Sequence, residues 1–410
     1  MASTYSTWRD YYLVIQGFFY GAQGIAYGIA LFFMAYLRSF GIDKEVALTL
    51  QSVLLIPWYI KFLFGVISDN FTIGRFGRRK PYVFIAALLG LTGWISLPLY
   101  SQYSGLLLLS GFAASMGIAL ADASIDALAV DITPPDRRGS MQGVSWGFRG
   151  LGFGAATLFG GALIDAGQWK TAFLIPGVLS TVATLLVLFF KEEALPADFT
   201  RVPARVYKEV FSHRSVQWTL IFQIFSGSAI AIIFLLETFL STQLNYTPLQ
   251  VGQTLFYFAL GMFSGSIVFG ILGDRIEVKK TFVGLSLVYA LIILVIFLVD
   301  MTQFWQTAVY FAGIGTINGG YEATQMRISM DYSPTILGGT MFNLYNSISN
   351  IGQIAIGTNL IFALILLMPT KIAWQFFSLF LLIAALIVRK LVNQYPSEQT
   401  TEIGSQLIHQ

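Results

Sequence analysis

Cysteine is absent from the 410 residues, and histidine occurs only twice, at His213 in a polar stretch and His409 near the C-terminus. Without thiols there is no disulfide framework, thiolate metal centre or cysteine nucleophile. Two distant histidines give no material for a zinc-type cluster, so no metal and no cofactor is expected. Charge is scarce too. Asp, Glu, Lys and Arg make up 11% of the chain, against roughly 25% in soluble domains, so water cannot be the main solvent. The net charge of +3 is too small for a general basic field, which argues against a nucleic-acid partner. No lysine follows a glycine, so there is no phosphate-binding loop and no ATP-driven engine. Gly143-Val-Ser145-Trp-Gly147 matches a nucleophile elbow in letters only. It lies in an apolar helical run with no strand before it and no histidine to serve it, so no enzyme is expected.

What is abundant is apolar residue, 56% of the chain. A helix needs about 20 such residues to cross a bilayer. Candidate spans fall at 11–37, 45–68, 81–102, 105–131, 139–165, 170–190, 215–242, 248–273, 281–300, 304–331, 337–366 and 372–392. Met1–Asp10 is short and polar, and no small-residue cleavage site breaks the helix after it, so that helix reads as retained rather than as a signal peptide. The longer polar connection from Lys191 to Arg214 divides the chain. The expected units are 1–191, a linker at 192–214, a second bundle at 215–394 and a tail at 395–410.

Lys and Arg set the orientation. With a cytoplasmic N-terminus, 17 of the 24 basic residues fall in inside segments, and only Arg38, Lys44, Lys170 and Lys371 fall outside. Both termini are therefore expected in the cytoplasm. The halves also repeat. Val130–Gly143 (VDITPPDRRGSMQG) aligns with Met330–Asn343 (MDYSPTILGGTMFN) at an offset of 200, matching Asp131, Pro134, Gly139 and Met141 to Asp331, Pro334, Gly339 and Met341. Gly65-Val-Ile-Ser-Asp69 echoes Gly270-Ile-Leu-Gly-Asp274 at an offset of 205. The expected fold is an all-α membrane protein of twelve transmembrane helices in two pseudo-symmetric six-helix bundles, with a site between them.

Between the second and third spans the chain reads Gly65-Val-Ile-Ser-Asp69, then Gly74-Arg75-Phe-Gly77-Arg78-Arg79-Lys80-Pro81-Tyr82. This resembles the cytoplasmic loop signature of the major facilitator superfamily. Glycine lets helices approach, an aspartate can sit at a helix N-terminus, and arginines can bind acidic helix ends. Asp131 closes the fourth span on the same side as a natural partner for one arginine. Within the superfamily, Pro57-Trp58-Tyr-Ile-Lys61 through Tyr82 and Gly139-Ser-Met-Gln142-Gly-Val-Ser-Trp146-Gly147-Phe-Arg149 are similar to the folate–biopterin transporter group. Asp126-Ala-Leu-Ala-Val-Asp131 with Pro134 and Arg138-Gly139 also resembles anhydromuropeptide permeases and acetyl-CoA transporters. Ser68-Asp69 with Gly77-Arg78-Arg79-Lys80-Pro81 resembles sugar–cation symporters. The resemblance implies gating by Gly65, Asp69, Arg78, Arg79 and Asp131, and by their second-half echoes Asp274, Arg327 and Asp331.

Ionisable residues inside spans are functional candidates. Asp122 and Asp126 share one face of the fourth helix. Asp122 lies nine residues above Asp131 and Arg149 nine above Ser140, so each sits about 13 Å in by helix rise; an ion pair between them is expected. Arg149 lies off the Gly143, Gly147, Gly150, Gly154 stripe, which reads as helix packing, and is free to face a central cavity. Lys61, about 12 Å above Asp69, can pair with an acid or face an anionic solute. Glu322 is the repeat counterpart of Asp122, with Asn318 and Gln325 on its face. Arg327 and Asp331, four apart, suit a local salt bridge. Glu237, in the outer part of the seventh span, is a third acid. Gln16, Tyr20, Gln23 and Tyr27 form a polar stripe on the first helix, and Asn343, Asn346, Asn350 and Gln353 form one on the eleventh. Such stripes face protein or water rather than lipid.

The expected function is a secondary transporter, monomeric and in the cell membrane, moving a small polar or anionic solute by alternating access. Its partners would be that solute, protons and membrane lipids. The alternative is a non-transporting sensor or assembly factor on the same fold.

Overall fold

The computed structural model describes residues 7–73, 76–192, 201–299 and 301–391. Gly74, Arg75, part of the linker and the expected tail lie outside the described residues. The described chain is helical throughout, as lipid demands of any backbone that cannot share its hydrogen bonds with water.

Twelve spans follow one another among the described residues. The first half holds Tyr12–Ala30 continued by Phe33–Ser39, then Lys44–Leu54 with Ile56–Tyr59 and Lys61–Asn70, Lys80–Ser96, Gly105–Ile132, Arg138–Asp165 and Trp169–Leu186. The second half holds Arg214–Ala229 with Ile232–Gln243, Pro248–Arg275, Val278–Leu294, Phe304–Asp331, then Gly338–Ile351 running through Gly352–Thr358 to Asn359–Ile365, and last Thr370–Ala373 with Gln375–Val388. Local chemistry sets several starts. The Ser104 hydroxyl accepts from Leu107 N–H at 3.3 Å to open the fourth span. Thr247 and Gln250 cap each other reciprocally before Pro248 opens the eighth, the arrangement that satisfies two orphan amides at once.

Among the described residues, eight spans are long and apolar enough to cross a membrane by themselves. The second and seventh, read from sequence as continuous, are broken. In the second, Trp58 N–H turns to the Leu55 carbonyl where Pro57 has no N–H to give. The carbonyl of Leu54 is left over, and Ser115 Oγ on the fourth span donates to it. The eleventh span widens to five-residue hydrogen bonding over Gly352–Thr358, where Ser228 Oγ on the seventh span donates to the Gly352 carbonyl at 3.0 Å.

The fifth span is where the halves meet. A Cβ at Gly143, Gly147, Gly150 or Gly154 would run into Ser266, Phe263, Met262 or Ala259 of the eighth span, so the stripe is the fifth span's contact with the other half. On its opposite side the fifth span packs along the first, with Gly24 against the Arg149 carbonyl and Gly152 against the Gly21 carbonyl. The linker carries a short amphipathic helix, Ala204–Ser212, that buries Val206 and Val210. Asn70 at the end of the second span holds it, donating to Tyr207 Oη at 2.6 Å and accepting from Val202 N–H at 3.2 Å.

Candidate functional site

Three layers stack along the spans. The first is a double clasp between the halves. Asp69 accepts from Gly339 N–H at 3.2 Å, Thr340 N–H at 2.6 Å and Thr340 Oγ1 at 2.6 Å, at the start of the eleventh span. Asp274 does the same at the start of the fifth, from Gly139 N–H at 2.7 Å, Ser140 N–H at 2.7 Å and Ser140 Oγ at 2.5 Å. Each carboxylate thus caps a helix of the opposite half, where unsatisfied amides and the helix dipole favour negative charge. Glycine makes the approach possible: a Cβ on Gly65 would strike the Gly339 carbonyl, and one on Gly270 the Gly139 carbonyl.

Arginines tie the clasp. Arg79 pairs with Asp69 at 2.6 Å and with Asp131 at 3.0 Å. Arg78 pairs with Asp131 at 3.1 Å and reaches across to donate to the Thr335 carbonyl at 2.9 Å. Burial would weaken the Arg79 charge, but Asp131 and Asp69 more than offset it and hold the guanidinium above its ordinary range. In the other half Arg327 pairs with Asp274 and, at 3.4 Å, with Asp331, so the local salt bridge read from sequence is the weaker of its two. Arg138 holds Asp331 at 3.1 Å. Glu192, just past the sixth span, was not singled out from sequence. Its Oε1 accepts from the amides of Arg78 and Arg79, both at 2.7 Å, and it lies against Gly77, whose φ of +94° suits glycine alone. Burial first, then the nearby Asp131, pushes the Glu192 carboxyl up. Signals for Glu192 were thin, because a single acid after an apolar run is an ordinary helix end.

The second layer is a buried charge cluster in the first half. Lys61 Nζ lies 2.6 Å from Asp122 and 3.6 Å from Asp126. Gln23 donates to Asp122 at 2.7 Å, and Tyr20 Oη donates to Asp126 Oδ1. Asp126 Oδ2 accepts no hydrogen bond. Gln16, one turn nearer the clasp, donates to Ser145 Oγ at 3.1 Å. All seven residues are buried.

The expected Arg149–Asp122 pair is not formed. Among the described residues Arg149 has no ion pair; its guanidinium lies over the rings of Trp146, Tyr27 and Trp58, at 4.8, 5.4 and 5.8 Å from their centroids. The depth arithmetic was sound, but the fourth and fifth spans are neighbours in sequence rather than side by side. The first span stands against the fifth, and Gln23 on it takes the side of Asp122 where Arg149 was expected. Lys61, at nearly the same calculated depth, comes from the adjoining second span instead. Arg149 still acts on Asp122, Asp126 and Glu322 through space.

In the second half Glu322 accepts from Asn318 Nδ2 at 2.8 Å, and Tyr289 Oη donates to Asn318 at 2.8 Å. Glu322 Oε2 has no hydrogen-bond partner, and no cation among the described residues lies in ion-pair range. Gln325 joins Gln223 at 2.7 Å and Ser349 at 2.9 Å. The eleventh-span stripe does not behave as one lining. Asn343 braces the halves, donating to the Ala123 carbonyl at 3.0 Å; Asn346 is buried and Asn350 half-buried. Glu237 is exposed and stands apart from the buried acids.

The third layer is a cavity of about 310 Å³ beyond Lys61 from the clasp, walled by Tyr27, Phe33, Trp58, Trp94 and Phe173, with Ile354 and Thr358 entering from the eleventh span. Two of its walls, Tyr27 and Trp58, are the rings on which Arg149 lies. Sequence reasoning expected a central cavity but not these aromatic walls, because they come from four different spans.

The profile of the Major Facilitator Superfamily matches residues 13–357 and 219–406. The chain is 33% identical over 171 residues to the probable folate-biopterin transporter 4 of Arabidopsis thaliana, covering 40% of this chain and 34% of that protein. It is 28% identical over 154 residues to the folate-biopterin transporter of Synechocystis sp., covering 36% and 30%. The matches thus span about a third of the length of these curated relatives. The fucose:proton symporter FucP of E. coli shares the fold with a TM-score of 0.69 at 12% identity, over 94% of this chain and 100% of that one; in its outward conformation the score is 0.72 at 13% identity, over 94% and 99%. With a profile match across most of its length and the same twelve-helix architecture, the chain belongs to the Major Facilitator Superfamily.

Proposed function

We propose that this protein is a secondary transporter that moves a small anionic, flat aromatic solute by alternating access, coupled to protons. The observation that carries the reading is the pairing of a cavity on one side of the membrane core with a double clasp on the other. Asp69 and Asp274 each hold a helix start of the opposite half, so the charged ties between the halves lie at one end. Breaking two helix caps and the arginine bridges lets units 1–191 and 215–394 rock about the site. A sensor or assembly factor has no need of both a breakable clasp and a charged core.

The clasp residues Gly65, Asp69, Arg78, Arg79, Asp131, Asp274, Arg327 and Asp331 serve as the cytoplasmic gate in this reading, with both termini on that side. The solute's ring enters among the cavity aromatics and its anionic group meets Arg149, whose planar cation is already laid on Tyr27 and Trp58. The names of the relatives, folate-biopterin transporters, are consistent with such a solute. Lys61, Asp122, Asp126 and Glu322 carry charge through the cycle, with Gln16, Tyr20 and Gln23 orienting the aspartates. The protein works as a monomer in the cell membrane.

A thermal-shift screen of the purified protein against pterins, sugars, nucleotides and muropeptides tests the solute class. A stabilising pterin or related aromatic anion, followed by its uptake into proteoliposomes under an acid-outside gradient, supports the reading. Stabilisation by neutral sugars alone would remove the assignment of Arg149.

A further inference from the structure

The internal repeat gives the aromatic cavity a counterpart in the second half. The offset of 200 that lays Asp122 on Glu322 carries Gly111, on the cavity wall, onto Phe311. An offset of 201 lays Lys170-Thr-Ala172-Phe173 on Lys371-Ile-Ala373-Trp374, so the wall residue Phe173 falls on Trp374. In the second half Phe311 and Trp374 are fully buried, with ring centroids 6.5 Å apart, and Phe239 lies 4.7 Å from Trp374. In the first half a glycine stands for the phenylalanine and a phenylalanine for the tryptophan, and a cavity of about 310 Å³ remains.

The two ends of this cavity differ. Gln23 and Lys61 hold Asp122, so Tyr27, Trp58 and Ile118, each about one turn further out, stand at one level, and Arg149 lies on two of them. Gly111 is seven residues beyond Ile118, about 10 Å by helix rise. Trp94 joins it at that far end, because Gly93 packs on the Ala114 backbone. The lining is mostly hydrocarbon. Ser115 and Thr358 among the walls spend their hydroxyls on the Leu54 and Gln353 carbonyls. Trp94 Nε1 is buried and has no hydrogen-bond partner, and a buried donor left unpaired is costly. A ring crowded with donors and acceptors, such as a pterin, would leave most of them unpaired against these walls. A phenyl ring would not; an apolar cavity of about 150 Å³ already takes benzene.

We propose that the cavity is a phenyl-binding pocket left by glycine at position 111, and that the solute is an arylalkanoate. Its ring sits where the repeat holds Phe311, its carboxylate reaches Arg149 over a short alkyl chain, and Trp94 Nε1 donates to an oxygen on the far edge of the ring. The class of solute rests on the aromatic-anion reading above; the pocket itself does not.

Calorimetric titration of the purified full-length protein in detergent with 3-phenylpropionate reads the pocket without transport. The wild type should bind it about tenfold or more tightly than propionate, the worth of one buried phenyl ring. Gly111→Phe puts the repeat's own ring into the pocket and should remove that advantage, with the melting temperature kept or raised. A Cβ there first meets the side chains of Phe33 and Leu54, at 3.1 and 3.3 Å. Should that variant fail to fold, Phe173→Trp copies Trp374 and carries the same expectation. A ring hydroxyl, as in 3-(4-hydroxyphenyl)propionate, should raise affinity about fivefold, and Trp94→Phe should abolish that gain alone. Equal affinity for 3-phenylpropionate and propionate, or affinity unchanged in a folded, filled variant, overturns the pocket. A hydroxyl gain that is absent, or that survives Trp94→Phe, overturns the donor. Binding without uptake would refute the transport reading and leave the pocket standing. A pterin bound equally by the wild type and Gly111→Phe, with no binding of 3-phenylpropionate, would do the reverse.

Discussion

Replacing Lys61 with methionine is the sharpest perturbation of the buried cluster, because one cation there serves two carboxylates. At 2.6 Å and 3.6 Å the gross attractions are about 6 and about 5 kcal/mol at an effective dielectric near 20. Lys61→Met removes both and leaves Asp122 and Asp126 one turn apart with no cation between them. Removing one partner of a buried pair typically costs about 3–5 kcal/mol net, and this variant belongs at the upper end. Asp122→Asn is milder, about 1–3 kcal/mol, because Lys61 keeps Asp126 and the amide keeps an acceptor for Gln23. The double variant leaves a single carboxylate, so it should be less destabilised than the sum by about 1–3 kcal/mol, the coupling of groups in contact. Thermal unfolding in detergent, followed by the fluorescence of the eight tryptophans, measures all three. Arg149→Ala combined with Asp122→Asn is the control and should show a clearly smaller coupling, since these two act on each other only through space and do not touch. Additive losses for Lys61 with Asp122, or strong coupling for Arg149 with Asp122, would refute the assignment of partners.

The lack of native cysteine makes the clasp testable by single-cysteine labelling. Gln142→Cys lies buried in the seam, where Gln142 donates to Met330 of the other half, and should resist a thiol reagent from the cytoplasmic side. Adding Asp69→Asn weakens a helix cap worth about 1 kcal/mol and should raise the labelling rate roughly fivefold; unchanged protection would remove Asp69 from the gate. Glu192 gives a pH signature. Its carboxyl is held above the ordinary glutamate value, so the native state binds this proton more tightly than the unfolded chain, and stability falls as pH rises from the unfolded value through the native one. Glu192→Gln keeps an acceptor for the Arg78 and Arg79 amides without the titration, and its melting temperature should lose that slope; an identical slope in both proteins would contradict the burial argument. Arg149→Lys keeps the charge but not the planar stack on three rings, so affinity for an aromatic anion should drop about tenfold while a neutral solute is unaffected; equal losses for both would point to a packing role.

Much of the architecture was legible in the linear chain. Apolar runs of bilayer length and two motif pairs repeated at offsets of 200 and 205 led to twelve helices in two halves, because lipid leaves a backbone few choices. The Gly65/Asp69 and Gly270/Asp274 pairs likewise announced a close approach and a helix-capping acid, since a glycine four residues before an aspartate puts both on one face. Breaks were harder to read. Pro57 signalled one in the second span, whereas that in the seventh carries no proline and comes from packing against the widened eleventh.

Side-chain partners were decided by the fold. Depth follows from rise per residue and is a property of one helix, so Lys61, Asp122 and Arg149 could be set at similar heights from sequence. Which of them meet depends on which helices stand side by side, and that is a property of the assembled bundle. The first span, brought against the fifth by Gly24 and Gly152, displaced Arg149 from Asp122 onto Tyr27, Trp58 and Trp146, and the second span delivered Lys61 in its stead. The same holds for the cavity and for Glu192: each is assembled from residues far apart in sequence, and only tertiary packing brings them to one place.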